Sequence, residues 1–218
     1  MNKLEKYFYN NPGKHQIHKW SHYFEIYDRH FSRYIGTNPT ILEVGVDRGG
    51  SLEMWNNYFD GECTIYGVDI NPACNDIQIP NTEIVVGDQS DVKFWDEFKH
   101  KVPKLDIIIE DGGHTMHQQI TTFECMYDHV KDDGVYLCED LHTSYWCESN
   151  VKADHCNPEG RITFIEYTKN FIDKLNAWHH KPVGDVSFKQ KTHSIHYYDS
   201  VIVLEKRMDI NQPQSLIK

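Results

Sequence analysis

Two short apolar runs in this 218-residue chain end abruptly in acids, with histidines beside them. The first is Leu105-Asp-Ile-Ile-Ile-Glu-Asp-Gly-Gly-His114 and the second is Gly134-Val-Tyr-Leu-Cys-Glu-Asp140. Asp111, Glu139 and Asp140 supply three carboxylates, which as hard oxygen donors suit a divalent cation such as Mg²⁺. His114, next to Asp111 in the run, has the residue type of a proton acceptor at neutral pH. His142, two residues past Asp140, is the alternative base. The competing reading is that these acids merely cap helices and loops. A single acid would leave it standing, whereas three acids converging on adjacent strand ends favour a metal.

The elements that must bring them together can be read from the same stretch. Runs of this length, rich in Ile, Val and Tyr, have the pattern of buried parallel strands. Between them Ile120, Phe123, Tyr127 and Val130 recur at helical spacing, so Thr115 to Val130 is expected to be a helix. The result is a βαβ unit whose two strands lie side by side and parallel. Asp111, Glu139 and Asp140 then emerge at the carboxyl edge of the sheet, where open α/β folds bind ligands.

Three earlier strands point to a second ligand at that edge. Thr40 to Val46 is a buried strand that runs into Asp47-Arg-Gly-Gly-Ser51, and a helix follows from Leu52. The pattern Glu43-x-Gly45-x-x-x-Gly49-Gly50-Ser51 is not the G-x-G-x-x-G of a pyrophosphate cradle. It suits a turn passing round a smaller, zwitterionic ligand. Thr64 to Asp69 ends in an acid able to accept both hydroxyls of a ribose. Glu83 to Asp88 is followed by Gln89, and Asp88 and Gln89 are placed to meet an adenine; an Asx turn explains them equally well. Asp91 is then the N-cap of a short helix to Phe98. At the far end, Ser194 to Tyr198 and Ser200 to Leu204 make a tight antiparallel pair closing an otherwise parallel sheet.

The rest of the chain frames these elements. Residues 1–36 form an N-terminal helical segment, in which Trp20, Tyr23, Phe24, Tyr27, Phe31 and Tyr34 share one helical face. That face packs on the domain, or the segment closes over a bound cofactor. Residues 37–206 form the single α/β domain. Within it, 141–161 has no regular period and is expected to be a lid or substrate loop. Its Tyr145 and Trp146 pack against an acceptor, or anchor the loop. Phe164 to Trp178 repeats apolar residues at helical spacing, and residues 207–218 are a loose tail.

Composition narrows the partners. A net charge of −11 without a basic stripe repels nucleic acid. A mean hydropathy of −0.64, with no apolar run near the roughly 20 residues needed to cross a bilayer, argues against a membrane protein. The first residues lack the apolar core of a signal peptide. The six cysteines are scattered without a C-x-x-C pair, as expected of reduced thiols in a cytoplasmic protein.

Taken together, the strand ends at Glu43–Ser51, Asp69 and Gly87-Asp88-Gln89 resemble those of class I S-adenosylmethionine-dependent methyltransferases. That resemblance implies a Rossmann-like α/β fold with a mostly parallel seven-stranded sheet and a C-terminal antiparallel hairpin. It makes Glu43, Gly45, Gly49, Ser51, Asp69, Asp88, Gln89 and Asp111 the expected binders of S-adenosyl-L-methionine. Asp111-Gly-Gly-His114 with Glu139-Asp140 resembles a subset, the Mg²⁺-dependent sugar O-methyltransferases of the mycinamicin and rhamnosyl type, and the likeness spans residues 17–206. It also takes in His18-Lys19-Trp20, Glu139 to Trp146 and His196 to Ser200. By that resemblance Asp111, Glu139 and Asp140 hold Mg²⁺ and His114 is the general base. The acceptor is a saccharide or glycosylated small molecule, met by Tyr145 and Trp146, and the enzyme is a homo-oligomer. A phenol, a phosphorylated or phosphoramidate capsule group, or a cephalosporin-hydroxylase-like or non-catalytic role are the alternatives.

Overall fold

A computed structural model of the protein describes residues 1–10, 13–146 and 163–217. Its centre is a seven-stranded sheet: β1 (Thr40–Val44), β2 (Thr64–Asp69), β3 (Thr82–Val86), β4 (Leu105–Glu110), β5 (Val130–Cys138), β6 (Thr192–Tyr198) and β7 (Val201–Lys206). The spatial order is β3-β2-β1-β4-β5-β7-β6. The first five strands pair in parallel, and β7 lies antiparallel to both β5 and β6. This is the expected mostly parallel sheet with its closing hairpin. The strand order reverses between β1 and β4, and a crevice opens there at the carboxyl ends.

Among the described residues seven helices flank the sheet: α1 (Lys3–Asn10), α2 (Tyr23–Phe31), α3 (Gly50–Tyr58), α4 (Val92–Lys101), α5 (Met116–Met126), α6 (Phe164–Leu175) and α7 (Ser187–Lys191). Successive strand residues point to opposite faces, and both faces are covered. On one, Ile41, Ile107, Ile109 and Val203 pack with Tyr23, Tyr27, Phe31 and Trp55 from α2 and α3. On the other, Leu42, Ile108, Tyr136 and Leu204 pack with Trp95, Phe98, Phe123 and Phe171 from α4, α5 and α6. Each such buried side chain contributes about 1.5–3 kcal/mol, enough to fix the strand ends that carry the acids.

Local chemistry sets the helix starts near the site. Thr115 and Gln118 form a reciprocal capping box at the head of α5, and the Asp91 carboxylate accepts the Lys93 N–H at the head of α4. The expected helix to Val130 instead stops at Met126, because Tyr127–His129 tightens into a 3-10 turn and Val130 already belongs to β5. The N-terminal aromatic helix starts at Tyr23, leaving Trp20 exposed in irregular chain. Ile172, expected on the buried face of α6, is half exposed. Of the expected lid, Leu141–Tyr145 is a 3-10 turn; residues 147–161 lie outside the described residues, as do Cys147 and Cys156. Cys63, Cys74, Cys125 and Cys138 are free thiols. Among the described residues no helix is long and apolar enough to cross a membrane.

Candidate active site

A cavity of about 400 Å³ opens at the carboxyl ends of β1, β2, β3 and β4. Gly45, Ser51, Asp69, Asp88, Gln89, Asp111, His114 and Asp140 all line it, together with residues 16–19 of the N-terminal segment. Its floor depends on Gly45, at φ +93°, where an added Cβ would lie 1.9 Å from the Asp111 carbonyl oxygen. Only glycine allows the end of β1 to approach the Asp111 turn this closely. Gly50 is equally crowded, since its Cβ would lie 2.1 Å from the Gln16 carbonyl oxygen. The N-terminal segment therefore rides directly on the glycine turn.

The donor-side residues divide by what they touch. Asp69 accepts the N–H groups of Val46, Asp47 and Asn71, at 2.8, 3.0 and 2.8 Å, which draws the turn after β1 onto the end of β2. Asp88 forms an Asx turn, accepting from the Ser90 N–H and hydroxyl. The Gln89 side chain is buried and turned inward. Its amide donates to Glu110 and Thr122, and its carbonyl accepts the Gly113 N–H at 2.7 Å. It lines the cavity and at the same time braces the Gly112-Gly113 turn. Glu43 is buried beneath the cavity and accepts from the Ser51 hydroxyl at 2.8 Å.

The acidic strand ends also part company. Asp111, His114 and Asp140 come together, with one ligand atom of each lying within 4.8 Å of the others. His114 Nε2 is 3.4 Å from Asp140 Oδ2 and 3.9 Å from Asp111 Oδ1, while its Nδ1 is buried without a hydrogen-bond partner. His114 and Asp140 adopt left-handed backbone conformations, at φ +57° and +55°, which non-glycine residues hold only when their surroundings enforce it. The Asp140 side chain makes no cap hydrogen bond, so helix capping does not account for it. The Tyr23 hydroxyl holds it at 2.7 Å.

Glu139, expected as the third metal-facing acid, does not line the cavity. It is 1% exposed, and the Tyr27 hydroxyl donates to its Oε1 at 2.6 Å. Lys19, named within His18-Lys19-Trp20 but given no role from the sequence, is bonded to it at 3.0 Å. The ammonium also contacts Asp111 Oδ2 and stands 3.5 Å from Glu43 Oε1. Burial alone would lower its pKa, but the three facing carboxylates outweigh it and hold the value well above normal. Burial, with Asp111 adding to it against the pull of Lys19, raises Glu139 well above the usual carboxylate range. Burial also lifts Glu43 to about 7, against the opposing pull of Lys19.

His142 lies outside the cavity lining, with Nδ1 on the Ser200 hydroxyl and 3.9 Å from Asp140. Its ring meets those of Trp146 and Trp20 edge-on at 4.6 and 5.8 Å. Tyr145 and Trp146 are exposed at 72% and 48% and do not line the cavity.

A crystal structure titled MycE methyltransferase from the mycinamycin biosynthetic pathway, in complex with Mg and SAH, superposes with a TM-score of 0.79 at 25% identity. The match covers 95% of this chain and 55% of that one. The chain has a class I methyltransferase fold. Its sequence is 30% identical over 204 residues to demethylmacrocin O-methyltransferase of Streptomyces fradiae, covering 86% of this chain and 50% of that protein. It is 31% identical over 192 residues to mycinamicin VI 2''-O-methyltransferase of Micromonospora griseorubida, covering 83% and 47%. The chain thus spans about half the length of the curated relatives it matches. No protein-family model matches it. Within the methyltransferase fold, the cavity lies where the donor half is expected and the Asp111–His114–Asp140 trio borders it.

Proposed function

We propose that this chain is an S-adenosylmethionine-dependent O-methyltransferase that uses Mg²⁺ and methylates a hydroxyl of a sugar or glycosylated small molecule. One observation carries the reading. Asp111 belongs at once to the wall of the cavity on the glycine turn and to the trio with His114 and Asp140. Donor and acceptor would therefore meet across a single residue. The relatives support the acceptor class, being named for methyl transfer to mycinamicin VI and demethylmacrocin, and the structural neighbour was crystallised with Mg and SAH.

Gly45, Gly49 and Ser51 would shape the donor turn, and Asp69 and Asp88 would face the ribose and adenine, each with acceptor capacity left over. Glu43 and Gln89 would support that half from beneath. The donor set fits a hard cation, since Asp111 and Asp140 bring carboxylate oxygens within 4.8 Å of one another and of His114. Asp111 and Asp140 would hold the ion, with Glu139 behind them. When bound, Mg²⁺ acidifies and orients the hydroxyl, and S-adenosylmethionine supplies a methyl on positively charged sulfur. His114 is the base, because its Nε2 faces the carboxylates at the cavity, whereas His142 is tied to Ser200 outside it. Tyr145 and Trp146 would flank the acceptor.

The test is transfer of labelled methyl to a panel of glycosides, catechols and phosphorylated saccharides, with and without EDTA. Labelled glycoside that disappears on chelation is the expected result. Labelling of catechols or phosphorylated saccharides alone would move the acceptor class. Binding of S-adenosylhomocysteine without transfer to any acceptor would leave a non-catalytic cofactor binder.

A further inference from the structure

The Lys19 ammonium lies where Glu43, Asp111 and Glu139 converge, with its side chain only 2% exposed. Three carboxyl groups face this one cation, and Asp111 also reaches the cavity, so a second cation can be held there only in competition with the ammonium. Glu43 Oε1 has no hydrogen-bond partner there. Asp111 is shared: its Oδ2 contacts Lys19, while its Oδ1 faces His114 at the cavity. Lys19 itself stands in irregular chain, residues 16–20, rather than in a helix or strand. Its long stem can therefore withdraw without unwinding a regular element.

We propose that Lys19 is a resident counter-ion, which holds the acids together in the metal-free protein and is exchanged for the divalent cation. This rests on the Mg²⁺ reading given above and adds that Lys19 competes with the metal. Glu139 becomes a metal-facing acid only once the ammonium has left it. The device keeps the buried acids neutralised in both states and sets the threshold concentration at which the cation enters.

The test measures Mn²⁺ binding to the full chain by the loss of the free-ion electron paramagnetic resonance signal, Mn²⁺ being a hard ion that takes carboxylate oxygen. Lys19→Met is expected to bind Mn²⁺ roughly tenfold more tightly or better, because the competent state no longer has to be released from the ammonium. Because that variant leaves buried acids unpaired and could fail to fold, a second readout uses the unaltered protein. Lys19, followed by mass spectrometry after amine-reactive labelling, should react faster with saturating Mn²⁺ than without it. Wild-type binding with equal or weaker affinity in Lys19→Met, or Lys19 labelling unchanged by Mn²⁺, overturns the exchange while leaving the metal reading intact. Absence of Mn²⁺ binding to either protein overturns both.

Discussion

Tyr23 on α2 donates its hydroxyl hydrogen to Asp140 Oδ1 at 2.7 Å and accepts the Asp140 N–H at 3.3 Å. One phenol thus fixes both the carboxylate and the left-handed backbone of the residue that carries it. Tyr23→Phe should cost about 1 kcal/mol of stability and lower methyl transfer several-fold, with S-adenosylhomocysteine affinity unchanged. Urea unfolding and calorimetric titration check the two halves; an equal loss of donor affinity would contradict the assignment of Asp140 to the acceptor side.

His114 and His142 are separated by surroundings rather than by residue type. His114→Ala should reduce turnover by about 10²–10⁴-fold, the usual worth of a positioned base, and His142→Ala much less. Steady-state rates at saturating donor decide between them. A larger loss at His142 would exchange their roles.

Gly45 carries the close approach of β1 to the start of the Asp111 turn. Gly45→Ala places a methyl group against the Asp111 carbonyl at a left-handed φ, and strain of this kind costs about 1–3 kcal/mol. The expected outcome is a lower urea midpoint together with loss of S-adenosylhomocysteine binding. Unchanged donor affinity would show that the cavity floor is elsewhere.

Far from the site, Glu205 on β7 is bound to buried His30 at 2.7 Å. That hydrogen bond, with Arg33 nearby, holds its carboxyl down from 4.5 to about 2. A depressed carboxylate contributes stability that is present above its unfolded value and lost as pH falls from there through the folded one. The nominal shift is discounted for partial solvation, so Glu205→Gln should cost about 1–2 kcal/mol at pH 7. The difference from wild type should shrink between pH 4.5 and 2. Urea unfolding at pH 7 and pH 3 measures it; a pH-independent difference would contradict the role of the ionised Glu205 carboxylate.

Strand ends were readable because buried parallel strands announce themselves as apolar runs, and acids at their carboxyl ends must share one edge. The closing hairpin was readable for the same reason, from two β-rich runs with almost nothing between them. The role of Lys19 was not, because a lysine in irregular chain has no periodicity, and its meeting with Glu139 depends on how the N-terminal segment crosses the glycine turn. Tyr23 and Tyr27 were placed correctly on the buried face of α2. Their hydroxyls were the overlooked signal, since a buried phenol needs a polar partner, and theirs are Asp140 and Glu139. The bracing role of Gln89 was not readable, because a polar residue after a strand looks like a ligand contact alone. Only the packing of β4 against that turn reveals Glu110 as its partner.

The decisive measurement of Mg²⁺-dependent sugar methylation is methyl transfer from labelled S-adenosylmethionine to a glycoside acceptor after the protein has been stripped with EDTA and then resupplied with Mg²⁺. Transfer is expected to vanish on stripping, return with Mg²⁺, and stay absent in Asp111→Ala although that variant still binds S-adenosylhomocysteine. Transfer that persists undiminished in EDTA, or survives in Asp111→Ala, would contradict it.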